Sequence, residues 1–324
     1  MEIQNYPAIQ VEKIFKSFDQ VEAVSGIDFD VNQGEIFGFL GPNGAGKTTT
    51  INMLTGLARP DAGTIHINGI NCTQKTKAAQ HLIGTVPDES NLYPELTGFE
   101  NLSFCASLYG IKKKSREEKA RELLELFGLT KAANRKFAGY SKGMKRKLTI
   151  AAGIIHNPPI LFLDEPTTGI DVASARQLRQ IIADLHKAGT TIFLTTHYIE
   201  EAERLCDRIA FIVSGRIIRI DTVANLMQPV KGNHILRIAC SAGIRELASE
   251  LQNNFSFKKI LIPETGILRI EDTSPVSVGP VIRFLEEKGI EVFEAVRIRP
   301  SLEEVFVDIT GIKADMMKKE KGKG

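Results

Sequence analysis

Three things are scarce in this chain of 324 residues: an excess of charge of one sign, cysteines at short spacing, and a long unbroken apolar run. Lys plus Arg number 41 against 39 Asp plus Glu, a formal net charge of +2, so no global field gathers polyanions and any basic patch has to be local. Cys72, Cys105, Cys206 and Cys240 lie far apart, with no C-x-x-C pair and no cysteine–histidine cluster at zinc spacing. That pattern predicts reduced, mostly buried thiols of a cytosolic protein. The most apolar stretch, Ile150 to Leu163, is cut by His156, Asn157, Pro158 and Pro159, too short and too broken to span a bilayer. The opening MEIQNYPAIQ is neither basic nor followed by an apolar run, so no signal peptide is expected.

What the chain does have is 43% hydrophobic residues, ample for buried cores, and a length that suits two ordinary domains. Ile27, Phe29 and Val31 alternate with Asp28 and Asp30, the pattern of a strand with one wet face. Ile65-His66-Ile67 ahead of Asn68-Gly69 predicts a strand entering a tight hairpin. From Glu35 onward the runs EIFGFL, PILFLDE (159–165), TTIFLTTH (190–197) and RIAFIV (208–213) suit strands buried on both faces of a parallel sheet. A helix-rich insert separates the first run from the second. Thr97-x-x-Glu100 and Ser115-x-x-Glu118 each read as a capping box there, and Gly128 closes the second helix.

Pro229 and Gly232 mark a linker. Beyond it the expected order is strand (His234–Cys240), helix (Ile244–Leu251), two strands (Phe257–Ile262 and Gly266–Glu271), helix (Val278–Lys288), strand (Ile290–Ile298), and a helix opened by Ser301-x-x-Glu304. That order fits a small ferredoxin-like sandwich, and it carries no catalytic constellation. The expected division is therefore 1–228, with a helical part over 89–157, then 231–311, then a disordered basic tail 312–324. Lys318 to Lys323 in that tail read as solubilising rather than as a membrane contact.

Gly41-Pro42-Asn43-Gly44-Ala45-Gly46-Lys47-Thr48 satisfies G-x-x-x-x-G-K-[ST], directly after the apolar strand Ile36–Leu40 and before the helical run Thr49–Leu54. Glycines let the backbone fold into a nest of N–H groups facing phosphate oxygens; Lys47 would reach the β and γ phosphates and Thr48 would bind Mg²⁺. Ile160 to Glu165 is an apolar strand ending in two carboxylates. Successive strand side chains diverge, so Asp164 suits a Mg²⁺ shell through water and Glu165 suits orienting and deprotonating an attacking water. His197 ends the next apolar run, at the same C-terminal sheet edge. The other five histidines, His66, His81, His156, His186 and His234, read as structural.

Residues 140–148, YSKGMKRKL, hold four basic side chains and invite a nucleic-acid reading. Their context points elsewhere. Taken in order, the phosphate loop, YSKGM, LFLDEP, Gly169-Ile170-Asp171 and His197 resemble the nucleotide-binding subunits of ATP-binding cassette (ABC) transporters, over about residues 8 to 225. The resemblance implies an α/β fold: a P-loop ABC-type ATPase domain, with a mixed sheet, an antiparallel β subdomain and a helical subdomain, followed by the small α+β domain. It implies that ATP contacts Gly41 through Thr49, that Phe18 stacks on adenine near Val24, and that His197 is the switch histidine beside Glu165. It implies that two copies sandwich two ATP molecules. Ser141, Lys142, Gly143 and Met144 then form a signature segment that meets the γ-phosphate on the opposite copy, with Asp171 in the adjoining D-loop. Lys145, Arg146 and Lys147 are expected on a solvated or phosphate-near helix flank.

Two positions depart from the family pattern. Lys142 replaces the usual glycine, and Asp88 replaces a glutamine that touches Mg²⁺ and relays nucleotide state to the membrane partner; relay is the preferred role for Asp88. The loop Glu89–Leu96 and the helix after it are the expected docking surface for a separate permease. By resemblance the protein is an exporter ATPase at the cytoplasmic face of the membrane, with no nucleic acid expected. The alternative is an ABC ATPase serving nucleic acid or the ribosome, but the usual paired cassettes or interrupting coiled coil are not seen. A regulatory subunit without hydrolysis conflicts with Lys47, Asp164, Glu165 and His197.

Overall fold

The structure is a computed structural model that describes residues 6–228, 234–241, 243–298, 301–312 and 317. The linker residues Pro229 and Gly232 and the basic run Lys318–Lys323 lie outside the described residues. The described chain divides into two compact units, one of residues 6–223 with the described residues from 306 onward, the other of residues 224–305.

In the first unit, β1 (Ile9–Phe18) and β2 (Val21–Val31) pair antiparallel before the buried strand β3 (Ile36–Leu40) and helix α1 (Lys47–Leu54). Next come β4 (Ala62–Ile67), β5 (Ile70–Asn71), α2 (Thr76–Gln80) and β6 (Ile83–Val86). The predicted hairpin at Asn68-Gly69 joins β4 to β5, with both turn residues at positive φ. Three helices follow: α3 (Gly98–Leu108), α4 (Lys113–Leu126) and α5 (Lys142–Gly153). The unit then continues through β7 (Ile160–Asp164), α6 (Val172–Lys187), β8 (Thr191–Thr196), α7 (Ile199–Leu205), β9 (Arg208–Val213) and β10 (Arg216–Thr222); its last residue before the division opens the short helix α8 (Val223–Leu226), which otherwise belongs to the second unit.

These strands build two sheets. One is antiparallel, in the order β2-β1-β4-β5; the other is β10-β9-β3-β8-β7-β6, parallel from β9 through β6 with β10 antiparallel at its edge. The four apolar runs are therefore neighbours in one parallel sheet, as their continuous hydrophobicity predicts. Phe29 of β2, Phe37 and Phe39 of β3, Phe162 of β7 and Phe193 of β8 meet in one aromatic cluster, with neighbouring centroids 5.4–5.9 Å apart. Every one of these rings is buried, so the cluster welds the antiparallel sheet to the parallel one beneath the phosphate loop.

The Thr97 box forms as predicted: the Thr97 hydroxyl accepts from the Glu100 N–H at 3.1 Å, and the Glu100 carboxylate accepts from the Thr97 N–H at 2.8 Å. The Ser115 box does not form. Helix α4 starts at Lys113 with Lys112 at its N-cap, so Ser115 already lies inside the helix and Glu118 has no cap to close. The preceding lysines are good helix formers and extend the helix one turn earlier than the serine signal. Gly128 follows α4 at φ +66°, the expected left-handed stop.

The second unit contains β11 (His234–Cys240), α9 (Ile244–Phe255), β12 (Lys259–Glu264), β13 (Ile267–Asp272), α10 (Val278–Glu287), β14 (Val292–Ile298) and the first residues of α11 (Leu302–Thr310). Its sheet runs β12-β13-β11-β14 with every pair antiparallel, the strand order of a ferredoxin-like sandwich. Leu236, Ile238, Leu268 and Ile270 face Leu251, Val281 and Leu285 of its helices in a separate apolar core. Ser301 and Glu304 exchange both capping bonds at the start of α11. Cys72, Cys206 and Cys240 are buried free thiols, and Cys105 is half-buried.

Candidate active site

The phosphate loop turns between β3 and α1, and its glycines are required by neighbouring backbone. A Cβ on Gly41 would stand 2.1 Å from the Ile212 carbonyl, and one on Gly46, at φ +102°, would stand 2.4 Å from that of Ala23. The loop is thereby wedged between β9 and β2. It opens on a cavity of about 500 Å³ whose lining includes Asn43, Gly44, Lys47, Thr48, Asp88 and Glu165.

Lys47 is buried and its ammonium has three neighbours: it donates to the carbonyls of Gly41 at 2.8 Å and Pro42 at 3.2 Å and stands 3.2 Å from Glu165 Oε1. Glu165 Oε2 accepts from His197 Nδ1–H at 2.7 Å and from the Thr168 hydroxyl at 3.1 Å. Lys47, Glu165 and His197 thus form one buried chain across the sheet edge. Burial alone would push the Glu165 carboxyl up, but the His197 hydrogen bond and the Lys47 ammonium outweigh it and hold the carboxyl below its ordinary value. It is accordingly an ionised acceptor at neutral pH.

Asp164, one residue earlier, points elsewhere. Its Oδ1 accepts from the Thr195 hydroxyl on β8, so the two adjacent acids have separate partners as the strand geometry predicts. The chain leaves β7 at Glu165 with φ +47°, a left-handed conformation costly for a side chain other than glycine. Asp88 follows β6 and is exposed at the cavity wall. Partial desolvation raises its carboxyl from the ordinary value, Arg146 opposes the rise, and the carboxylates of Asp164 and Glu165 add to it.

Ser141 caps α5, accepting from the Met144 N–H at 3.3 Å, and Lys142 and Met144 flank the buried Gly143. A Cβ on Gly143 would stand 2.3 Å from Ser174 Oγ, so this segment packs tightly on the start of α6. There Asp171 is the N-cap, accepting from the Ser174 N–H at 2.9 Å and the Ser174 hydroxyl at 2.7 Å, bonds that lower its pKa. Ser141, Lys142, Gly143, Met144 and Asp171 form one cluster, and none of them lines the phosphate cavity.

Arg146 corrects the expectation of a solvated flank. It is buried and donates to the carbonyl oxygens of Pro87, Asp88, Asp164 and Pro166. Its period on α5 turns it inward, whereas Lys147 reaches Gln177 Oε1 at 2.6 Å and Lys145 lies over the Phe137 ring. Phe18 is 51% exposed at the end of β1 with the Lys16 ammonium 5.3 Å from its ring centroid, so it is not a core residue; it stands outside the cavity lining. Sequence reasoning missed Val21, Glu22, Ala23 and Ser214, which do line it. They come from the β1–β2 and β9–β10 ends, drawn in when the Gly215 N–H donates to the Ala45 carbonyl at 2.9 Å.

A glycine nest before a helix N-terminus, a lysine inside it, and acidic groups at the ends of adjacent parallel strands define a P-loop ATPase cassette. Comparison with known proteins agrees. Residues 24–168 match the family described as ABC transporter. The linearmycin resistance ATP-binding protein of Bacillus subtilis is 37% identical over 94% of this chain and 98% of its own length. The daunorubicin/doxorubicin resistance ATP-binding protein of Streptomyces peucetius is 37% identical over 97% of this chain and 96% of its own. A Nod factor export ATP-binding protein of Burkholderia thailandensis is 36% identical over 94% and 97%. Among solved structures, an ATP-binding cassette captured as a dimer after hydrolysis with ADP and Pi superposes with a TM-score of 0.62 at 26% identity, covering 66% of this chain and 98% of that one. The chain belongs to the ABC transporter family, as an ATP-binding subunit of its exporter branch: an ATPase coupled to transmembrane transport.

Proposed function

We propose that two copies of this chain close on two ATP molecules, each held by the phosphate loop of one copy and the signature segment of the other, and that the pair drives a separate membrane permease. The observation that carries the hydrolytic part is the Lys47–Glu165–His197 chain, whose first two members line the cavity. In this reading the γ-phosphate draws Lys47 away from Glu165, the freed carboxylate takes a proton from the attacking water, and His197, through Nδ1–H, keeps that carboxylate aimed. Ser141 and Gly143, turned away from their own cavity, remain available to the partner's nucleotide at the N-terminus of α5. The dimeric post-hydrolysis state of the related cassette, bound to ADP and Pi, supports this arrangement.

Among the described residues no three Asp, Glu, His or Cys side chains converge as a metal cage. Hard oxygen donors without a full cage fit Mg²⁺, which keeps waters and takes phosphate oxygens. Thr48 and Asp164 would hold it, with Asp88 beside them, and it would neutralise charge on the phosphates.

A groove of about 490 Å³ beside α3, lined by Leu57, His81, Leu92, Leu108 and Tyr109 among others, is read as the permease seat. No helix among the described residues is long and apolar enough to cross a membrane. In this reading the permease is what holds the chain at the cytoplasmic face. The cargo is read as a drug, a lipid or another hydrophobic compound, a reading that the drug-resistance names of two relatives support for the first of these. Residues 1–228 would act as the ATPase domain and 231–311 as an accessory domain. The test is purification of the tagged full chain from detergent-solubilised membranes of its own cells. A multi-spanning polypeptide should co-purify with the native chain and be lost from Leu108→Asp, while both retain hydrolysis; no such polypeptide, or hydrolysis stimulated by nucleic acid, would contradict the reading.

A further inference from the structure

The side chain that links the signature helix to the hydrolytic turn is Arg146. Its guanidinium, on a residue only 6% exposed, is spent on main-chain oxygens: Nε donates to the Pro166 carbonyl at 2.9 Å, Nη2 to that of Asp164, and Nη1 to those of Pro87 and, at 2.9 Å, Asp88. Burying a cation is costly, and a fork of fixed donors is the form of positive charge that can satisfy several carbonyls at once. The carbonyls it takes are not scattered. Asp164 and Pro166 flank Glu165, the residue with φ +47°, and Pro87 and Asp88 carry the other acid of the cavity.

A left-handed glutamate persists only where its surroundings over-determine it. The Glu165 N–H donates to the Thr195 carbonyl at 3.1 Å and the Thr167 hydroxyl donates to the buried Glu201 at 2.7 Å, which hold the turn from the β8 and α7 sides. Arg146 holds it from the α5 side, one turn beyond Gly143. We propose that Arg146 is a positioning residue for hydrolysis: it fixes Glu165 in its turn and binds that turn and the Asp88 loop to the helix that carries the signature segment. The proposal rests on the reading of Glu165 as the base.

Arg146→Lys keeps the charge but offers one donor centre in place of a planar fork. In the full-length chain it should keep MgATP affinity within about threefold and lose about 100-fold in kcat, the penalty of roughly an ångström of misplacement at the reacting groups. Arg146→Ala opens a guanidinium-sized space, and guanidinium ion at sub-denaturing concentration should restore part of its kcat while methylammonium should not. If Arg146 acts through Glu165, adding Arg146→Lys to Glu165→Gln should lower kcat little further. Wild-type kcat in Arg146→Lys, losses that multiply in the double variant, or absence of guanidinium rescue in a folded Arg146→Ala would each overturn the role of Arg146. Undiminished turnover in Glu165→Gln alone would instead remove the base assignment, and the two failures are separable on one set of proteins.

Discussion

Replacing Glu165 by glutamine should do two opposite things at once, and the structure sets their size. Glu165 Oε1 stands 3.2 Å from the Lys47 ammonium, and both side chains are at most 10% exposed. At an effective dielectric of about 20, charges at that separation attract by about 5 kcal/mol. Desolvation of the pair cancels most of it, leaving a net contribution on the order of 1–2 kcal/mol. On the proposed reading that contact competes with phosphate for Lys47. The amide keeps the size of the carboxylate but not its charge, so Glu165→Gln should bind ATP about 5- to 30-fold more tightly, the same 1–2 kcal/mol expressed as affinity. It should also lose about 10²–10⁴-fold in turnover, because the amide cannot take a proton from water. Without nucleotide the variant leaves Lys47 with neutral acceptors alone, the carbonyls of Gly41 and Pro42 and the new amide oxygen, and its Tm should fall by about 2–4 °C per kcal/mol lost. Titration calorimetry with ATP, beside steady-state phosphate release, reads both effects. Unchanged affinity would refute the competition for Lys47, and unchanged turnover would refute the catalytic role.

Asp88→Asn should leave the Mg²⁺ titration of hydrolysis by the isolated chain unshifted while transport fails, the outcome of a relay role; because Asp88 lines the same cavity as Thr48 and Glu165, a several-fold rise in the Mg²⁺ needed for half-maximal hydrolysis would instead place it in the metal shell. Thr97→Ala removes a cap whose two bonds are both formed and should cost about 1 kcal/mol in denaturant unfolding, whereas Ser115→Ala should change stability by less than about 0.5 kcal/mol. Equal losses from the two would contradict the placement of the α4 start. Phe193→Ala empties the centre of the aromatic cluster and should cost about 3–5 kcal/mol, and a loss below about 1 kcal/mol would show that the two sheets are not joined there.

The parallel sheet and the edge that holds the candidate site were legible because their signals are local: EIFGFL, LFLDEP and TTIFLTTH each carry strand character in one stretch, the first running into the glycine-rich loop and the other two into polar side chains. The phosphate loop was legible for the same reason, and so was the β-α-β-β-α-β order of the second unit, whose elements alternate between period 2 and period 3.6. What escaped depends on non-local packing. Arg146 sits in a run of basic residues and looks solvated until α5 is laid across the ends of β6 and β7, which turns one lysine-like position inward and its neighbours out. Ser214 and Glu22 reach the cavity only because Gly215 pairs with Ala45, a contact between residues far apart in sequence. The Ser115 box failed because a cap motif competes with any good helix former before it, and Lys113 and Lys114 won that competition.

The central claim is that each hydrolytic site is built from two chains, and a mixture of two disabled chains tests it most directly. Ser141→Arg spoils the signature cap that its chain offers to a partner and leaves its own phosphate loop whole; Lys47→Ala does the reverse. In a mixed dimer one site pairs intact Lys47 from one chain with intact Ser141 from the other, and the second site pairs the two damaged halves. With mixed dimers verified by dual-tag purification, the account predicts ATP hydrolysis well above that of either variant alone, approaching half the wild-type rate per dimer. Hydrolysis no greater than that of the single variants would contradict the shared site.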